Sequence, residues 1–184
     1  VACDSTPAPL LTGVRFAGRR FPFGQRRHTI REPMTTPFKI TRLVEFSDTD
    51  MAGIVHFTAF FRYMEQAEHA FYRSLGMSVI MHDGERQVSF PRVHASCDYT
   101  KPLRFEDEVE IELILAEKKL KALVYEFIFR RLASRGVSAS ASAEEVARGK
   151  LIVVCVTKDP ASGTMKSIEI PPAVAAKIDE RRQG

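Results

Sequence analysis

Two aspartates, Asp48 and Asp50, stand in the polar run Ser47-Asp48-Thr49-Asp50, and a helical pattern begins shortly after them at Phe57. A carboxylate on a loop that enters a helix has two uses in acyl chemistry. It attacks an acyl carbon itself, or it takes a proton from a water that does so. Acyl chemistry also needs something positive where the oxyanion develops, and the helix start supplies it, because its first N–H groups lack partners within the helix and carry partial positive charge. An aspartate side chain titrates near about 3.9, roughly three units too acidic for an ideal general base at neutral pH. A neighbouring acid and partial burial raise such a value, whereas a helix N-terminus lowers it. Attack by the carboxylate and activation of water therefore both stay open. Taken alone, an Asp-x-Asp is equally an N-terminal capping carboxylate or a plain loop acid, and Asp48 reads as a turn hydrogen-bonder. A metal site here would need further ligands that the sequence does not offer, so no metal is expected.

Other polar residues fall near these. His56 adjoins the helix start, where a lone histidine is either structural or functional. Glu65 lies on the polar face of the helical pattern, and Glu68 is in phase with the apolar stripe. Glu68 is thus either a buried, hydrogen-bonded acid or a residue at the stripe's edge. Lys118, Lys119 and Lys121 cluster at a tight connection that serves either as a solvated turn or as an anion site, with Arg130 and Arg131 as weaker candidates. No nucleophile elbow, phosphate-binding loop or dinucleotide fingerprint occurs. Cys3, Cys97 and Cys155 show no disulfide or zinc spacing and read as free thiols of a reducing cytoplasm.

The elements that must position these groups follow from periodicity. Phe38–Phe46 reads as a strand, followed by the aspartate loop and a turn at Gly53. From Phe57 to Leu75 the period becomes helical, with Phe57, Phe60, Phe61, Met64, Ala67, Phe71 and Leu75 as one apolar stripe and Gly76 as the stop. Alternation over Val93–Tyr99, Val109–Leu115 and Leu123–Phe129, and the apolar run Leu151–Val156, predict strands around that helix. Lys118–Lys121 reads as a hairpin connection, Ser134–Gly149 as a small-residue loop, Met165–Ile170 as a short strand, and Pro171-Pro172 as the start of a last helix. The expected class is α+β, with one curved antiparallel sheet of about five strands wrapped around one long helix and a short C-terminal helix.

Composition locates the charge. The 184 residues carry a formal net charge of +4, yet residues 1–33 hold six arginines against Asp4 and Glu32. The remaining 151 residues carry 21 basic and 21 acidic side chains, which gives the body of the chain no electrostatic case for a nucleic-acid partner. Residues 1–33, with Pro7, Pro9, Pro22 and Pro33, read as a disordered basic extension, and residues 34–184 as one domain. Met34 as the natural start, a functional tail and a targeting peptide all remain readings of the extension. No apolar run suits a membrane span, so no membrane partner and a cytoplasmic location are expected.

The segment Ser47-Asp48-Thr49-Asp50-Met51-Ala52-Gly53-Ile54-Val55, followed by the helix HFTAFFRYMEQAE, resembles the signature of the hotdog-fold acyl-CoA thioesterases. The match is to the 4-hydroxybenzoyl-CoA thioesterase-like group with its YbgC-type enzymes. Asp98-Tyr99, Pro102-Leu103-Arg104-Phe105, Asp107 and Ile170-Pro171 extend the resemblance over roughly residues 36–172. The resemblance implies hydrolysis of an acyl-CoA substrate without a cofactor. It puts the catalytic carboxylate on Asp50, the turn on Gly53 and the oxyanion donor on the Phe57 backbone N–H, with Glu65 and Glu68 as fallback acids because some hotdog enzymes carry theirs on the helix. It also implies coenzyme A phosphates on Lys118, Lys119 and Lys121, and a homo-oligomer, a dimer or dimer of dimers. Relatives often place His or Tyr where this chain has Phe57, and Glu-Arg-Ala-Arg where it has Glu65-Gln66-Ala67-Glu68; the second departure bears on substrate class. A non-catalytic acyl-CoA-binding module on the same fold is the alternative. A dehydratase would want a His paired with an acid across the pocket.

Overall fold

The computed structural model describes residues 37–132, 143–159 and 163–183. The extension read over residues 1–33, and residues 134–142 of the small-residue stretch, lie outside them. In chain order the elements are β1 (Phe38–Leu43), a 3-10 turn (Phe46–Asp48), α1 (Phe57–Ser74), β2 (Met81–Asp83), β3 (Arg86–Ser89), β4 (Arg92–Tyr99), β5 (Glu108–Lys118), β6 (Ala122–Arg131), β7 (Glu144–Val154), β8 (Val156–Lys158), β9 (Met165–Ser167) and α2 (Pro172–Gln183). The main sheet has five strands in the order β1-β5-β6-β7-β4, every neighbouring pair antiparallel. The expected sheet, central helix and terminal helix are all present. A second sheet, β2-β3-β8-β9, was not foreseen, because strands of three or four residues are too short to show a period.

The helix forms where its apolar residues recur every three to four positions, and it ends by a defined mechanism. Gly76 adopts φ +64, its N–H bonds the Arg73 carbonyl at 3.0 Å, and the Met77 N–H reaches the Tyr72 carbonyl at 2.9 Å. That pair of bonds is a Schellman stop, which needs a left-handed residue at this position. The buried face is Phe60, Tyr63, Met64, Ala67, Glu68, Phe71 and Tyr72. It meets Ile111, Leu113, Tyr125, Phe127, Phe129 and Leu151 from the sheet in one apolar core. Phe57, the first residue of the predicted stripe, is instead 57% exposed, and Tyr63 is buried in its place.

One strand expectation is corrected. Glu144–Gly149 belongs to β7 and not to a loop. The small residues there misled because their purpose is close packing: Ala147 is fully buried, and a Cβ on Gly149 would lie well inside van der Waals contact with Met64 Sδ. β4 alternates as a half-buried strand would, yet it is the sheet's edge, with Val93 62% and Tyr99 45% exposed.

Gly149→Ala is expected to lower stability by about 1–3 kcal/mol, since Met64 is fully buried and has little room to move. Denaturant unfolding measures it. Combined with Met64→Ala, the loss should be smaller than the sum of the two single losses, and a single variant as stable as the parent would show that the helix does not press on β7 here.

Candidate active site

The chain between β1 and α1 is a tight hairpin. The His56 N–H bonds the Asp48 carbonyl at 2.8 Å, Thr49 and Val55 form a bridge, and the Asp50 N–H bonds the Ile54 carbonyl at 3.0 Å. Asp50 opens the turn at the tip. Its carbonyl accepts from the Gly53 N–H at 2.9 Å, and its Oδ1 accepts from the Ala52 N–H at 2.8 Å. Gly53 has φ +71, and its Cβ position is open space, so the backbone angle and not crowding calls for glycine. Asp50 is solvent-exposed, with one carboxylate oxygen held by the turn.

Asp48 anchors this hairpin to the helix. It is 9% exposed and accepts from the Glu45 N–H at 3.2 Å, Arg62 Nη2 at 2.7 Å and the Tyr63 hydroxyl at 2.8 Å. Burial works against its charge, but the bonds from Arg62, Tyr63 and the Glu45 N–H outweigh it and hold the carboxyl below its ordinary value of 3.8. The turn role expected for Asp48 is therefore only part of it. Arg62 and Tyr63 were missed as its partners, since nothing in the sequence links residues 14 and 15 positions apart across a loop and a helix.

The helix start faces the same hairpin. His56 is the N-cap, its Nδ1 lying 2.7 Å from Thr58 Oγ1 and 3.4 Å from the Thr58 N–H, with its ring 4.4 Å from that of Phe57. His56 thus has a local structural task. The Phe57 N–H makes no hydrogen bond among the described residues, as expected for the first residue of a helix. The Pro102–Phe105 block packs on this loop: the Val55 N–H bonds the Leu103 carbonyl at 2.8 Å and Arg104 reaches the Gly53 carbonyl at 3.4 Å.

The fallback acids sit elsewhere. Glu65 and Glu68 lie about 12 and about 17 Å along α1 from Phe57 at 1.5 Å per residue. Glu68 is buried and pairs with Arg92 at 2.5 Å, while exposed Glu65 meets the same guanidinium at 3.2 Å. Burial pushes the Glu68 carboxyl up to about 7, with Arg92 pulling it down and Glu65 pushing it up. This cluster ties β4 to the helix.

The lysines are also apart from Asp50 within one chain. β5 begins beside the aspartate loop, where the Val44 N–H bonds the Asp107 carbonyl, and ends at Lys118, about 33 Å away along an extended strand. There Lys118 pairs with Asp179 of α2 and Lys119 with Glu117 at 3.3 Å; Lys118, Lys119, Leu120, Ile170 and Ala175 line a cavity of about 360 Å³. The Lys121 carbonyl accepts from the Cys155 N–H at 2.8 Å. Arg130 pairs with Glu112 at 2.5 Å and Arg131 with Glu144. Among the described residues no group of three or more His, Cys, Asp or Glu could hold a metal, and no helix is long and apolar enough to cross a membrane.

Replacing Asp48 by Asn leaves Arg62 and Tyr63 without a charged acceptor, and is expected to cost about 1–3 kcal/mol at pH 7. Because the folded carboxyl titrates below 3.8, its contribution is full above that value and is lost as pH falls through the lowered one. The variant's stability should therefore fall less steeply on acidification. Parallel acid-limb unfolding curves would contradict the anchor.

Comparison with known proteins agrees with this architecture. A model of the thioesterase-like superfamily matches residues 44–178. A candidate esterase of Aquifex aeolicus is 38% identical over 93 residues, covering 50% of this chain and 71% of that protein. A 1,4-dihydroxy-2-naphthoyl-CoA hydrolase of Synechococcus elongatus is 35% identical over 77 residues, covering 41% of this chain and 57% of its own length. The match thus spans little more than half of that relative. Among solved structures, a gentisyl-coenzyme A thioesterase superposes with a TM-score of 0.59 at 26% identity, covering 74% of this chain and 98% of that one. A 4-hydroxybenzoyl-CoA thioesterase superposes at 0.63 with 20% identity, covering 77% and 97%, which speaks for the fold. With its hairpin, α1 and four of the five strands of the main sheet inside the matched span, the chain belongs to the thioesterase-like superfamily and has the hotdog fold.

Proposed function

We propose that this protein hydrolyses a coenzyme A thioester to the free carboxylic acid and the thiol, with Asp50 as the carboxylate and the start of α1 as the oxyanion site. The observation that carries this is the hairpin Asp48–His56, which joins an exposed carboxylate to a helix start whose first N–H has no partner among the described residues. The relatives named as CoA-thioester hydrolases support the substrate class. The acyl carbon gains an oxygen, from Asp50 itself or from a water that Asp50 deprotonates. Negative charge moves to the carbonyl oxygen facing the Phe57 N–H, and collapse breaks the C–S bond, the thiolate leaving to take up a proton. In the direct route water then cleaves the acyl-aspartyl anhydride. Both routes need the same two groups, and the activity resides in residues 34–184.

The lysine hairpin enters this scheme through a second copy of the chain. β4 runs from Arg92, opposite Val153 and through it Leu123, to Tyr99, opposite Ala147 and through it Phe129. Its open edge thus spans from the hairpin end of the sheet to the Asp50 end. Antiparallel pairing of two such edges would complete the sheet across a homodimer and set one copy's Lys118–Lys121 at the other copy's Asp50 end. Coenzyme A phosphates would then meet basic groups in trans.

The test is steady-state kinetics on a panel of aromatic and aliphatic acyl-CoA thioesters. Asp50→Asn should lower kcat by about 10²–10³-fold or more with the fold intact. Retained activity would overturn the assignment and turn attention to Glu65 and Glu68. Tight binding without turnover by the parent chain would instead favour a sensing module.

A further inference from the structure

Tyr99 closes β4, and its side chain leans off the sheet onto the first turn of α1. Its hydroxyl donates to the Phe57 carbonyl at 3.2 Å, and its ring lies 5.0 Å from that of Phe60 at 65°, an edge-on contact. Phe60 in turn packs edge-on against Phe129 at 5.2 Å, so the ring rests on the core. The backbone that presents it is fixed. Tyr99 stands opposite Ala147 of β7, and the Thr100 N–H bonds the Val146 carbonyl at 2.9 Å.

Three successive contacts come from one short stretch of chain. Tyr99 holds the Phe57 carbonyl, the Leu103 carbonyl holds the Val55 N–H, and Arg104 holds the Gly53 carbonyl. Residues 99–104 thus grip the loop-to-helix junction at every second residue. The first contact has a chemical consequence that the others lack. The carbonyl of Phe57 and the N–H of Thr58 are the two ends of one peptide group. A donor on that oxygen polarises the N–H, as it does along any hydrogen-bonded chain of amides. The Thr58 N–H is capped by His56 Nδ1 through a long bond of 3.4 Å, so it is a helix-start donor, next after the Phe57 N–H, that a stronger acceptor can draw away from the cap.

We propose that Tyr99 is a positioning residue for the oxyanion site, its hydroxyl fixing and polarising the Phe57–Thr58 peptide so that the first helix amides meet the developing charge. This rests on the thioesterase reading above and adds a residue from the far strand to it. Burial, with Cys97 and Asp98 beside it, pushes the hydroxyl up to about 12, so it stays a donor at working pH. Burial pushes the neighbouring Cys97 thiol up to about 11 against the pull of its hydrogen bond with the Tyr99 hydroxyl, so both groups stay protonated at working pH.

The experiment compares the full chain with Tyr99→Phe, which keeps the ring against Phe60 and removes only the hydroxyl. Steady-state hydrolysis of the acyl-CoA panel is measured together with the melting temperature and the Thr58 amide resonance by NMR. The expected result is a fall in kcat of about 3- to 10-fold with KM and melting temperature unchanged, and an upfield move of the Thr58 amide nitrogen. An unchanged kcat would overturn the proposal. So would a loss in which kcat, KM and melting temperature fall together, or a variant that does not fold, since the residue would then be merely structural. A parent chain that hydrolyses no thioester overturns the underlying reading and this role with it.

Discussion

The arrangement around Asp50 depends on a different aspartate. Asp48 is a buried carboxylate with three donors, and those donors come from the loop before it and from the second turn of α1. A buried charge is tolerable only when it is paired and hydrogen-bonded, and it penalises any geometry that loses those partners. The hairpin therefore cannot slide along the helix without stranding the charge. Asp50, two residues on at the tip, inherits its position from that constraint, as does Phe57, since the His56 N–H is bonded to the Asp48 carbonyl.

The helix must in turn be fixed against the sheet, and here size does what charge does at the loop. Gly149 on β7 and Ala67 on α1 let helix and sheet approach until Met64 fills the space over the glycine. Aromatic rings complete the contact: Phe60 against Phe129, and Phe71 against Tyr125, each edge-on or nearly so. At the other end of α1, Glu68 and Arg92 tie it to β4, and Lys177 reaches the Gly76 carbonyl from α2 at 3.3 Å. The proposed site lies at the end of α1 where the first N–H groups have no partner within the helix.

Much of this was legible in the sequence. The period change at Phe57 marked the helix to within a residue, and the polar run ending in Gly53 marked the turn. What escaped notice was of two physical kinds. Some signals were ambiguous: the small residues of Glu144–Gly149 look like a loop but make room for a helix, and the alternation of β4 looks half-buried but belongs to an open edge. Other features are pairings between distant residues, such as Asp48 with Tyr63, Glu68 with Arg92 and Tyr99 with Phe57, which no local pattern encodes. The lysine hairpin shows the converse. Its residues were easy to single out, but their distance from Asp50 along β5 appears only when the strand is laid out.

In the proposed reaction one carboxylate and one helix start act on the same carbonyl. A crystal structure with a non-hydrolysable acyl-CoA analogue tests it most directly. The carbonyl oxygen is expected within hydrogen-bonding distance of the Phe57 N–H, with the Asp50 carboxylate facing the acyl carbon. An analogue whose carbonyl lies instead beside Glu65 or Glu68, remote from the start of α1, would contradict it.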